Sequence, residues 1–317
     1  MKKILIIIIC FCGAANVYSA EKIYSPTFTG NFILYILDRD SVAGWVGPLM
    51  KREKTYMPQK YQDLPVLGGW WEVPIDREVL IKDGIKKAVV LVPDPENPDK
   101  RVEDLKKLGL EVKLFKAASI YDYPALMREL GAYMGIPERG EALALFGERM
   151  LEATSQMVKD LSEKEHVRVY IAHGSNGIST MCYLDALELA RGINAIDCPR
   201  GEHANVDFET IMKADPDVVI ITNPSASKVM NDPQWARLRA AKEGRMYIVP
   251  YGPFGWMHMP EITRFMGAPW LACTLYPDKC KVDIAKETKT FMSLFMYTEL
   301  DEAGVRKILE PVVDSKF

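Results

Sequence analysis

"PERGEALALFGERMLEATSQMVKDLSEKE", residues 137–165, decides the architecture. Leu143, Phe146, Met150, Leu151, Met157, Val158 and Leu161 recur at three- and four-residue steps, the period of one face of an α-helix. About 27 helical residues reach roughly 40 Å, the breadth of a small domain. On both sides the pattern changes to short apolar runs alternating with amphipathic segments, the mark of parallel strands joined by crossover helices. A single long helix between two α/β halves predicts two lobes on a stiff spine.

Upstream, "KIYSPTFT" precedes a helix over about 31–37, then come "SVAGWVG", a helix around 76–82, "KAVVLVP", a helix around 98–108 and "EVKLF". Downstream, "VRVYIAHG" reads as a strand, "YLDALELARGI" as a helix, "DFETIMKADP" as a helix feeding the strand "DVVIIT", and "DPQWARLRAAKEG" as a helix feeding "RMYIVPYG". From Pro260 onward the chain reads as helical. The expected division is an N-terminal lobe over 21–136, the spine over 137–165 and a C-terminal lobe over 166–317. One ordinary core would not hold a chain of this length. No short-period repeat points to a solenoid.

The first twenty residues, "MKKILIIIICFCGAANVYSA", carry two lysines, an apolar run and small residues near Ser19 and Ala20. They read as a cleaved signal peptide, and the run is shorter than the roughly 20 apolar residues a spanning helix needs. Cys10 and Cys12 follow Ile9 and Phe11, not a small residue, which argues against a lipoprotein. The expected location is the periplasm. The net charge of −3, with no basic block, excludes a polyanion such as nucleic acid as partner. In an oxidising compartment Cys182, Cys198, Cys273 and Cys280 are free to pair. Four cysteines allow three connectivities. Cys182 with Cys198 and Cys273 with Cys280 is the local choice, and sequence does not settle it. No paired Cys/His spacing for zinc stands in the chain.

Ligands of α/β lobes sit at the carboxyl ends of the strands. Here the loops at those ends span 27–31, 44–48, 68–72, 173–176, 200–205 and 251–259. The first two bring Thr29 and Trp45. "GGWW" places Trp70 and Trp71 after two glycines that let the backbone turn tightly, and Tyr56 offers a phenol nearby. "AHGSNGIST" brings His173 and Ser175, and "CPRGEHANVDFET" brings Arg200, Glu202 and His203, with Asp207 placed to cap the next helix. In "YGPFGWMHMPEITRF", residues 251–265, Tyr251, Phe254 and Trp256 are expected to form an aromatic wall facing the other lobe. His258 is the first candidate for touching a metal, His203 the second, while Met257 and Met259 read as packing. No G-x-S-x-G, H-E-x-x-H or G-x-G-x-x-G fingerprint supports an enzyme.

The run "ADPDVVIITNPSASKVMNDPQWARLRAAKEGRMYIVPYGPFGWMHMPEITRFMGAPWLACTLYPDK", with "LPVLGGWWEVPIDREVLI" and "GISTMCYLDALELARGINAI", resembles the substrate-binding proteins of ABC importers that carry iron–siderophore complexes, haem, cobalamin and, in some branches, molybdate. The resemblance covers nearly all of the chain after residue 20. It implies an α/β fold of two Rossmann-like lobes joined by one long helix, a ligand in the cleft, no catalysis and no cofactor. It further implies a monomer that hands a metal chelate, foremost an iron–siderophore complex, to an inner-membrane permease. Surface carboxylates meet the permease in such receptors, and the candidates here are Glu209 on one lobe and Glu96 or Asp99 on the other. Molybdate or another oxyanion is the alternative cargo. A secreted metal chaperone or a hydrolase using the cleft histidines is the alternative class.

Overall fold

The computed structural model describes residues 21–71, 73–199, 203–257 and 260–310. The signal-peptide reading, Arg200, Glu202, His258 and Met259 therefore lie outside the described residues.

The first lobe holds a parallel sheet of β1 (Ile23–Tyr24), β2 (Lys87–Val92) and β3 (Glu111–Lys116), in that order. The second lobe contains β4 (Arg168–Ala172), β5 (Ser179–Met181), β6 (Ile193–Asn194), β7 (His203–Asn205), β8 (Val218–Ile221) and β9 (Met246–Ile248). Four of these form a parallel sheet in the order β6-β4-β8-β9, and β5 pairs antiparallel with β7. The near-continuous apolar runs "AVVLV" and "VVII" are what a parallel sheet covered on both faces requires. The short antiparallel pair is absent from the sequence reading, because strands of three residues leave too little alternation to see.

Helix starts follow local chemistry. Asp76 accepts from the Val79 amide and Asp207 from the Thr210 amide, so both cap their helices. The spine runs Pro137–Val158, 22 residues or about 33 Å, shorter than expected. It ends early because Ser162 turns its amide and hydroxyl onto Glu165 and starts a separate 3-10 turn, Glu163–Glu165.

The spine is where the two lobes share one core. Its buried face, Leu143, Phe146, Met150, Met157 and Val158, packs into the same cluster as Phe32 and Met127 of the first lobe and Phe265 and Phe295 of the second. A Cβ on Gly131 would lie 2.8 Å from the Cα of Gly140, so the helix Tyr123–Tyr133 touches the spine backbone to backbone. Both expected local disulfides are present, Cys182–Cys198 and Cys273–Cys280. Among the described residues no helix is long and apolar enough to cross a membrane.

Candidate functional site

Between the lobes lies a cavity of about 240 Å³. The first lobe lines it with the β3-to-helix connection at Ser119 and with Tyr123. The second contributes Tyr183, Asp185 and His203, and the 3-10 turn Glu261–Thr263 with the helix Arg264–Leu275 that follows it contributes Glu261 and Arg264. Glu261 and Arg264 are three residues apart on successive turns and so face the same way.

Arg264 is the centre of this arrangement. Its Nη1 donates to both oxygens of Asp185 at 3.1 Å, and Asp185, 1% exposed, also accepts from the amides of Ile120 and Ala186 at 2.8 Å. The buried carboxylate is thereby neutralised by one guanidinium and two amides, the condition under which a buried charge is tolerated. It also crosses the lobes, since Ile120 belongs to the first and Asp185 to the second. The rest of the guanidinium stays unengaged. Nε is buried without a partner, and Nη2 meets no acceptor among the described residues.

Glu261 faces the same space. Its Oε2 accepts from the Thr29 hydroxyl at 2.9 Å and from the Tyr123 phenol at 3.2 Å. Burial, reinforced by the Glu261 charge, pushes the Tyr123 phenol well above its usual range, so it remains a proton donor. His203 lines the cavity from β7, its ring 5.3 Å from that of His173, whose Nδ1 meets the Thr222 hydroxyl at 3.2 Å. The Cys182–Cys198 bridge fastens the end of β5 to the segment that leads into β7, and this positions His203.

Several expected site residues are elsewhere. Trp256 is fully buried and Phe254 is 3% exposed, so the aromatic wall is turned into the core, not toward the other lobe. The loop folds back on itself, with the Gly252 amide on the Phe254 carbonyl and the Thr263 hydroxyl on the Gly255 carbonyl. Phe254 then meets Phe32 edge-on at 4.4 Å. Met257 is packed there as well. Trp45 is also core, its Nε1 donating to the Tyr61 carbonyl at 2.7 Å. Tyr251 is half-buried under the Arg52 guanidinium, and Tyr56 is half-buried close to Gly252.

Trp71 is exposed, at 70%, and Trp70 half-buried, with Arg101 stacked 4.5 and 4.6 Å from the two rings. Ser175 is exposed in the loop after His173. Glu96 and Glu209 are exposed, whereas Asp99 is tied to Arg101 at 2.6 Å, which holds its carboxyl down at about 2. Among the described residues no group of three or more His, Cys, Asp or Glu side chains is arranged to hold a metal ion. Of the residues singled out from the sequence, Thr29 and His203 stand beside this cavity; Ser119, Tyr123, Tyr183, Asp185, Glu261 and Arg264 border it without having been singled out. Glu261 and Arg264 nevertheless lie inside the quoted stretch 251–265.

Comparison with known proteins agrees with this architecture. Over 171 residues the chain is 27% identical to the molybdate-binding protein MolA of Haemophilus influenzae, a match covering 51% of this chain and 48% of that protein, so it spans about half of that relative's length. The structure is similar to an ABC transporter solute-binding protein from Sulfurospirillum deleyianum, with a TM-score of 0.83 and 27% identity over 91% of this chain and 94% of that one. It is also similar in fold to molybdate-bound MolA of H. influenzae, with a TM-score of 0.72 at 16% identity over 88% and 94% of the two chains. The periplasmic binding protein profile matches residues 88–251, from β2 through the spine to the loop after β9, and the chain belongs to that family.

Proposed function

We propose that the protein is the extracytoplasmic receptor of an ABC importer, a binding module and not an enzyme, and that its cargo is a small oxyanion of the molybdate type. One observation carries the cargo: Arg264, anchored by Asp185, lines the cavity with a guanidinium whose Nη2 has no acceptor among the described residues, and hydroxyls border the same space. Guanidinium donors flanked by hydroxyls are a means of holding an oxyanion. The rings that would have flanked a chelate, Trp45, Phe254 and Trp256, are occupied with the core. The molybdate-binding relative agrees with this reading.

A metal chelate is the second reading, and Glu261 favours it. A carboxylate and the His203 imidazole in one cleft are metal donors, and a carboxylate repels a fully ionised oxyanion. Calorimetry on the purified protein separates the two. Molybdate or tungstate binding with sulfate excluded supports the oxyanion. Binding of a ferric siderophore or a nickel–histidine complex, with none of molybdate, supports the chelate. Silence toward all of them would remove the receptor assignment itself.

A further inference from the structure

Next to the small cavity is a larger groove of about 530 Å³, at the end of the cleft where the spine helix finishes. Ser119 and Tyr121 border it from the first lobe, Ser155 and Lys159 from the last turn and end of the spine, and Tyr183 and Arg191 from the second lobe. Ser119 and Tyr183 border both spaces, so the groove and the cavity adjoin.

Its cations are free. Arg101, Arg128, Arg149 and Arg239 are each paired with a carboxylate. By contrast, the side chains of Lys159 and Arg191 have neither an ion pair nor a hydrogen bond among the described residues. Arg191 also occupies a costly backbone position. At φ 54° it stands in the left-handed region just past the helix Asp185–Leu189, where glycine is the residue without penalty. Among the described residues the groove's one acid, Glu188, leaves a surplus of positive charge and disfavours an inorganic dianion relative to a ligand that brings proton donors. Tyr121, 51% exposed, offers a flat face, and Ser119, Ser155 and Tyr183 offer hydroxyls.

We propose that this groove is a second ligand site, for a small organic hydroxy acid: the carboxylate lies between Lys159 and Arg191, the hydroxyls meet Ser119, Ser155 and Tyr183, and the carbon frame lies on Tyr121. The assignment does not depend on what fills the neighbouring cavity. Because Ser119 and Tyr121 come from one lobe and Arg191 from the other, an occupant bridges the lobes as a cleft ligand does. Two ligands that favour the same lobe arrangement strengthen one another, and the coupling is reciprocal.

The test is calorimetry on the purified protein with citrate, malate and 2,3-dihydroxybenzoate as probes. At least one binds with one-to-one stoichiometry. Arg191→Gly, which suits the φ of 54° and so relieves the backbone, and Lys159→Gln each weaken that binding by about tenfold. Thermal denaturation confirms that both variants fold, and their response to molybdate alone matches that of the parent protein. Saturating hydroxy acid then tightens molybdate binding. No binding by any of the three probes overturns the proposal, and so does equal binding to the Arg191→Gly/Lys159→Gln double variant. Simple competition between probe and molybdate also overturns it, because the probe would then sit in the smaller cavity. A protein that binds hydroxy acid through Lys159 and Arg191 but never molybdate would sustain this site while the oxyanion reading failed.

Discussion

Arg264→Lys separates the role of the guanidinium in ligand capture from its role in neutralising Asp185. Removing the cation altogether would strand a carboxylate that is 1% exposed and keeps only two amide donors, and breaking such a buried pair costs about 3–5 kcal/mol. An alanine variant would therefore report on folding. Lysine keeps a positive charge within reach of Asp185 and loses the fork. The contact to Asp185 falls from two Nη1 bonds to a single ammonium contact, a loss of about 1 kcal/mol. The donor lost toward the cavity is Nη2, since Nε is buried, and one charge-assisted hydrogen bond to an anion is worth about 1.5–3 kcal/mol. Affinity for molybdate should then drop by roughly 10- to 150-fold while stability falls by only about 1 kcal/mol. Urea unfolding measures the stability and calorimetry the affinity. If the lysine variant unfolds near the parent midpoint and binds molybdate within twofold of the parent, Arg264 is a structural ion-pair partner only.

Two tryptophans expected at the ligand site, Trp256 and Trp71, should behave in opposite ways. Trp256→Ala, at a fully buried ring, should lower stability by about 3–5 kcal/mol in denaturant unfolding, whereas Trp71→Ala, at 70% exposure, should change it by less than about 0.5 kcal/mol. Replacing Cys182 and Cys198 by serine opens a loop spanning 16 residues and should cost about 3 kcal/mol, against about 2.5 kcal/mol for the 7-residue loop of Cys273 and Cys280. Only the first pair should also weaken ligand binding, since it positions β7; equal effects on binding would refute that role. For docking on the permease, charge reversal at Glu209 with Glu96 should abolish uptake by cells and leave calorimetry unchanged. Asp99 should matter less, because Arg101 already engages it. Normal uptake by the Glu209/Glu96 variant would move the docking surface elsewhere.

The architecture was legible because it rests on periodicity. The spine's apolar face repeats at helical spacing for more than five turns, while "KAVVLV" and "DVVII" are runs too short and too β-branched for helices and "EVKLF" is a short alternating run, so each falls where its strand is found. What failed were features without periodicity. The two three-residue strands β5 and β7 are joined across a disulfide-closed segment, and their register, Met181 opposite His203, comes from tertiary pairing alone. The spine's early end depends on Ser162 choosing Glu165 over continuation of the helix, a competition that helix propensity does not weigh.

The site was harder for a more specific reason. Large aromatic rings at strand ends were read as ligand surface, yet a ring's first tendency is burial, and Trp256, Phe254 and Trp45 follow it. Glu261 and Arg264, charged residues at the start of a helix, were not singled out, and in sequence nothing marks them apart from ordinary exposed charges. Glu261 and Arg264 are not ordinary, but their distinction lies in what meets them from far along the chain: Thr29 and Tyr123 on the carboxylate, Asp185 on the guanidinium. Each of those contacts spans between 79 and 232 residues. A sequence read one stretch at a time weighs side chains by their own chemistry, and by that measure a tryptophan outranks a glutamate. The lobe boundary inverts the ranking, because the apolar ring gains most by leaving the solvent, while the ion pair held there leaves a guanidinium donor without an acceptor among the described residues.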